Sequence, residues 1–123
     1  MMKAADLQKA SLEELLECYA AAAVKHDRAT EEADYRAANK AHDEIVRVHR
    51  ELSSRGEVAL HSLSSLLSRA EPPVRHWAAA HLLLLEPAQA EPVLVALSAL
   101  PGAVGLGSGM VLKEWRKGTL RFP

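Results

Sequence analysis

The chain has 123 residues, of which 49% are apolar and only 4% aromatic, and its formal net charge is −1. This length suits one domain over residues 1–123, built around an aliphatic core of Leu and Ala. The balanced charge argues against a surface that binds nucleic-acid phosphates. The absence of sustained strand-like alternation predicts an all-α protein.

Cys18 is the only cysteine, which excludes an internal disulfide and predicts a buried, unreactive thiol. The acidic residues Asp6, Glu13 and Glu14 interrupt the start of the chain, so no secretory signal is expected. No apolar run approaches the length of a membrane span. We therefore expect a cytoplasmic protein without a membrane partner.

The first predicted helix begins at Ser11. Ser11 and Glu14 have the spacing of a capping box, in which each side chain accepts from a backbone N–H of the other. The helix is expected to end near residues 25–27. Residues 1–10 before it are expected to be a loose end.

The second predicted helix begins near Asp34, a good N-cap residue, and ends at about Ser54, before Gly56. Its apolar residues recur every three or four positions, which predicts a narrow seam against another helix. These residues are Ala38, Ala41, Ile45, Val48 and Leu52. A third helix is expected over residues 57–68.

Pro72 and Pro73 end that helix and favour the start of a fourth, which runs to Leu85. Its apolar stripe is predicted to contain Val74, Ala78, Leu82 and Leu85. Pro87 opens a fifth helix that continues to Leu100, with Pro92 inside it.

The glycine-rich residues 101–109 are predicted to be a flexible loop. Ser108 is then placed to cap a sixth helix over residues 109–117, which Gly118 ends. Residues 119–123 are expected to be a loose tail. The basic residues near this end are Lys113, Arg116, Lys117 and Arg121.

The helix pair over residues 60–85 resembles a HEAT-type repeat, a helical hairpin that must stack on neighbours to bury its apolar face. The run over residues 34–45, followed by Glu51-Leu52, Gly56, Val74-Arg75 and Ala78-Ala79, resembles a small bacterial family of HEAT-like domains. That family is domain of unknown function twenty-nineteen. The resemblance implies six helices in a short right-handed α-solenoid and no established activity.

Small families of this type often resemble immunity proteins that neutralise a bacterial toxin, although fold does not fix function. The leading hypothesis is therefore a non-enzymatic protein-binding module whose partner is another protein, in its sharpest form a toxin. Self-association into a homodimer is a further hypothesis, because the run over residues 20–24 is apolar on most sides.

Four residues are candidates for contact with such a partner. Trp77 lies at the edge of the apolar stripe of its helix, where it either anchors a partner or covers the adjacent helix. Arg75 either contacts a partner or ties one helical repeat to the next. Asn39 and Asp43, four residues apart, either bind a partner or form hydrogen bonds that fix the stack.

Catalytic, cofactor and metal sites are not expected. His42 and His49 are seven residues apart, about 10 Å along a helix, which is too far for one ion. Residues 105–109 precede a helix but match neither a P-loop nor a dinucleotide fingerprint.

Two alternative functions stay open. The first is nucleic-acid binding through basic side chains, and its candidates are Arg69, Arg75, Lys113, Arg116 and Lys117. The second is a small enzyme that uses His76 or His81.

Overall fold

The computed structural model describes the backbone of residues 4–123 and the side chains of residues 6–123. Over this range the protein is all-α, with seven α-helices, a 3₁₀-helix over Ser62–Ser68 and no β-strand. The helices are α1 (Ala4–Lys9), α2 (Leu12–Glu31), α3 (Tyr35–Ser54), α4 (Glu57–His61), α5 (Pro72–Leu82), α6 (Pro87–Ser98) and α7 (Gly102–Arg116). The chain forms two compact units, Met1–Leu63 and Ser64–Pro123.

The start of each long helix in the first unit was predicted correctly. The Glu14 amide donates to Ser11 Oγ at 3.1 Å, and the Ser11 amide donates to Glu14 Oε1 at 3.0 Å, so the capping box is present. The Ala37 amide donates to Asp34 Oδ1 at 3.1 Å, which caps α3. These bonds satisfy N–H groups that have no partner within the helix.

The core of the first unit lies between α2 and α3, which pack against each other as a hairpin. Helix α2 contributes Leu15, Tyr19 and Ala23, none of which is exposed to solvent. The predicted seam on α3 is buried at all five positions. Helix α2 runs to Glu31, beyond its predicted end, because its last turn still buries Ala29.

The expected loose end over residues 1–10 is wrong for Ala4–Lys9, which form α1, and residues 1–3 lie outside the described range. Leu7 and Ala10 are buried, which gives this short helix an apolar anchor. Arg55 holds it from the end of α3, since its guanidinium donates to the Leu7 carbonyl at 2.9 Å and to the Gln8 carbonyl at 3.3 Å. Arg55 also pairs with Glu51 at 2.8 Å.

The first α-helix of the second unit is α5, which starts at the predicted proline pair but ends at Leu82 instead of Leu85. Leu85 is partly exposed, so its predicted place in the core is wrong, and the fully buried Leu83 belongs there. The Glu86 amide donates to the Leu82 carbonyl at 2.7 Å, which closes the turn. Pro87 then starts α6, because the residue before a proline disfavours the helical conformation.

The predicted flexible loop over residues 101–109 is also wrong, since this stretch forms the first half of α7. Ser108 lies inside the helix and is not its cap. A side chain at Gly105 would place its Cβ 1.7 Å from the Leu100 carbonyl oxygen, so glycine permits the close approach of α7 to the end of α6. Tertiary packing therefore outweighs the low helix propensity of glycine here.

The end of α7 is a Schellman motif around Gly118, as the predicted stop suggested. The Gly118 amide donates to the Trp115 carbonyl at 2.9 Å, and the Thr119 amide donates to the Glu114 carbonyl at 2.9 Å. Residues 119–123 were expected to be a loose tail, but the Phe122 ring packs against α5, 4.7 Å from the ring of His81.

Replacing Arg55 should release α1. Arg55→Ala removes two hydrogen bonds to carbonyls at the end of that helix, and we expect unfolding free energy to fall by about 1–2 kcal/mol. Amide hydrogen exchange at Leu7 and Ala10 should accelerate. Arg50→Ala, an exposed arginine on the same helix, is the control and should change stability by less than about 0.5 kcal/mol. Equal effects of the two variants would contradict this role.

Gly105 and Gly109, two of the four glycines of α7, should respond oppositely to alanine. Gly105→Ala should lower unfolding free energy by about 2 kcal/mol or more, because its methyl group overlaps the Leu100 carbonyl. Gly109→Ala meets nothing within 4 Å and should raise stability by about 0.5–1 kcal/mol. Urea denaturation of both variants tests this prediction, which fails if Gly105→Ala is tolerated.

Candidate functional site

The structure places Asn39 and Asp43 on the exposed side of α3 in the first unit. The side chain of Asp43 is 76% exposed, and its carboxylate lies 3.9 Å from His42 Nδ1. Both residues are therefore accessible to a partner, and their predicted role in binding stays a prediction.

Arg75 and Trp77 lie on α5 in the second unit. The guanidinium of Arg75 donates to the Arg69 and Ala70 carbonyls, both at 2.8 Å, so it closes the turn that precedes its own helix. Trp77 is half-buried, with its ring 5.6 Å from the ring of His76 and 5.9 Å from the ring of His81. Each side chain thus has a structural role, and partner contact by either one stays a prediction.

A hydrogen bond of 2.8 Å between His76 Nδ1 and Ser108 Oγ was not predicted. These residues are 32 positions apart, so no local spacing could indicate the pair. The combination resembles two of the three members of a hydrolytic triad, but Ser108 is completely buried and its oxygen is closed to substrate. The bond therefore joins α5 to α7 within the second unit.

An apolar groove runs along α7, and we call it the α7 groove. It is a shallow, open hollow of about 460 Å³ between α7 and the end of α6, and its lining includes Leu100, Gly105, Leu106, Gly109, Met110 and Lys113. Leu106 is 70% exposed and Met110 is 59% exposed, one turn apart. Their spacing continues through Lys113 and Lys117, both exposed, so one stripe of the helix changes from apolar to basic.

This stripe was hidden in the sequence because the glycines around Leu106 and Met110 suggested a loop. The helical spacing of the two residues and Lys113 was the signal that could have revealed it. Among the basic residues at this end of the chain, Arg116 pairs with Glu91 at 3.5 Å.

A second, more polar cavity lies between α2 and α3, and we call it the α2–α3 pocket. Its volume is about 350 Å³. The turn between the helices closes one side, and its walls carry three cations and three acids. The lining residues are Lys25, Arg28, Ala29, Glu32, Asp34, Ala37, Lys40, Ala41 and Glu44.

Glu44 is the one buried residue among the charged residues of this lining, with only 8% of its surface exposed. Its Oε1 accepts a hydrogen bond from Cys18 Sγ at 3.2 Å. Burial, and then the hydrogen bond and negative charge of Glu44, raise the pKa of Cys18 to about 11. The thiol is therefore protonated at neutral pH and donates, in agreement with the predicted unreactive cysteine, although Cys18 is half-buried.

The raised pKa of Cys18 should appear in its chemistry. We expect slow alkylation by iodoacetamide at pH 7.5 and a rate that rises until about pH 11, because only the thiolate reacts. Glu44→Gln should shift this profile to lower pH, since it removes the neighbouring negative charge. Asp43→Asn, at the next position but exposed, should leave the profile unchanged. A wild-type midpoint near the ordinary thiol value of about 8.5 would contradict the prediction.

The fold and these cavities define a small all-helical domain whose candidate sites are concave surfaces. The chain belongs to the family described as Domain of unknown function (DUF2019), which matches residues 13–114. This result confirms the family that the sequence resembles. None of the curated proteins matches the chain.

The fold is similar to that in the crystal structure of the protein RPA1889 from Rhodopseudomonas palustris CGA009. The TM-score is 0.84 at 23% sequence identity, and the match covers 95% of this chain and 98% of the other. At that identity the likeness shows the fold alone. Within residues 4–123, no helix is long and apolar enough to cross a membrane.

Proposed function

We propose that this protein is a non-enzymatic protein-interaction module that receives an amphipathic, acidic segment of a partner protein in the α7 groove. The observation that carries the proposal is the exposure of Leu106 and Met110 beside a concave surface. Large apolar side chains that share an exposed patch favour a protein interface, because burial against a partner removes them from water.

The floor of the groove supports the same proposal. Gly109 has open space where a side chain would lie, so internal packing does not require glycine at that position. A glycine inside a helix costs about 1 kcal/mol relative to alanine. Close approach of a partner to the backbone of α7 would explain why position 109 is glycine and not alanine.

Charge at the end of the groove favours an acidic partner. Lys113 lines the groove and Lys117 follows one turn later, and both side chains are exposed. Neither lysine forms an ion pair with any residue in the range 4–123. Cations at the rim of an interface increase the association rate and select partners of opposite charge.

The proposal has a finer form, in which the chain is a HEAT-like helical-repeat protein of the cytoplasm and its partner is a toxin that it neutralises. Its support is the packing of successive helices, α5 on α6 and α6 on α7, and the resemblance of such small domains to immunity proteins. Co-expression tests this form. A captured partner that stops growth alone, but not together with this chain, would support it.

The groove is tested by paired substitutions and capture from a lysate of the native host. Leu106→Ser together with Met110→Ser should reduce partner capture at least about tenfold, since buried apolar anchors dominate interface energy. Val58→Ser is the matched control, because Val58 is 86% exposed on α4 and lies outside the groove. Equal capture by both variants would contradict the proposal.

Gly109→Ala gives a test that unfolding cannot imitate. The variant should be as stable as the wild type or more stable, yet it should bind the partner more weakly, because its methyl group enters the groove.

Capture of nucleic acid instead of a protein is the other outcome to distinguish. Material that is lost at high salt and after nuclease treatment would support the nucleic-acid alternative instead.

A further inference from the structure

The α2–α3 pocket contains a buried carboxylate that lacks a cationic partner among the residues that the structure describes. Neither helix packing nor the partner proposed for the α7 groove explains this feature. Glu44 is more than nine-tenths buried and lines the pocket. Charged side chains are almost never buried without a partner of opposite charge. Within residues 4–123, Glu44 forms no ion pair, and its hydrogen bond comes from the Cys18 thiol.

A thiol is a weak hydrogen-bond donor, so it compensates a carboxylate poorly. The high pKa of Cys18 means that the thiol keeps its proton at neutral pH and donates it to the hydrogen bond with Glu44. Glu44 therefore lacks a strong hydrogen-bond donor in the described part of the chain. A ligand that brings an ammonium group to Glu44 would supply a charge-assisted hydrogen bond there.

The rim of the pocket carries exposed cations, which favour a negatively charged group. Lys25 and Arg28 on α2 and Lys40 on α3 line the cavity and are exposed. Within residues 4–123 none of the three forms an ion pair. Three cations from two helices around one cavity favour a carboxylate at the rim.

The acids of the pocket narrow the choice of ligand. A simple anion such as phosphate would meet Glu44 as well as Glu32 and Asp34, and it would bring no donor to the buried carboxylate. A simple amine would bring no negative charge to the three rim cations, which form no ion pair with the acids of the lining. Only a molecule that carries both charges can pair with Glu44 and also with the three cations. Ala29, Ala37 and Ala41 leave room for a short aliphatic part between those charges.

We infer that the α2–α3 pocket is a binding site for a small zwitterion of the amino-acid class, with its ammonium group on Glu44 and its carboxylate among Lys25, Arg28 and Lys40. The volume of about 350 Å³ lies within the usual range of small-molecule sites. The site lies within the first unit, whereas the α7 groove lies within the second, so either proposal can fail without the other.

Two-dimensional NMR titration of the whole protein tests this inference. The probes are glycine, 4-aminobutyrate and lysine, with acetate and methylammonium as ligands that each carry one of the two charges. We expect saturable shifts at the amides of Lys25, Lys40 and Glu44 with at least one zwitterion. Acetate and methylammonium should bind at least about tenfold more weakly, because acetate can pair only with the cations and methylammonium only with Glu44.

Glu44→Gln is the decisive variant, because it keeps the shape of the side chain and an oxygen for the Cys18 thiol but removes the charge. It should weaken zwitterion binding at least about tenfold. Lys40→Met should also weaken binding, while Asp43→Asn, exposed on the same helix, should not. The inference is overturned if no probe shifts these amides at millimolar concentration, if acetate binds as well as the zwitterions, or if Glu44→Gln binds like the wild type.

Discussion

Close packing of helices through small side chains is the constraint on which both units depend. The buried positions contain many alanines, among them Ala20, Ala23 and Ala41 in the first unit and Ala78 and Ala90 in the second. Small residues let backbones approach closely. Gly105 is the extreme case, because the Leu100 carbonyl occupies the space where a side chain would lie. A protein with only 4% aromatic residues depends on such contacts for a dense core.

The same small residues also create the concave surfaces. Their short side chains leave space that larger neighbours border. Ala29, Ala37 and Ala41 lie in the wall of the α2–α3 pocket, and Gly105 and Gly109 lie in the α7 groove. The two cavities differ in chemistry because their remaining residues differ. Charged side chains surround the first, whereas Leu106 and Met110 border the second.

The two cavities suggest a division of roles between the units. An apolar groove with a basic end suits a macromolecular partner, since burial of Leu106 and Met110 provides energy and Lys113 provides selectivity. A polar pocket around Glu44 suits a small ligand held by a few directed charges. The hydrogen bond between His76 and Ser108 belongs to neither cavity and contributes to the packing of the second unit.

The sequence by itself determined the helical class, the family and most helix ends, because these depend on local chemistry. Capping by Ser11 and Asp34, the prolines before α5 and the glycine after α7 act on neighbouring backbone groups. The start of α7 was decided by tertiary structure, since Gly105 packs where a side chain would overlap the Leu100 carbonyl. The bond between Cys18 and Glu44, across 26 positions, was also invisible, as were the cavities. Contacts between distant residues depend on how helices pack, which the spacing of residues along one helix does not encode.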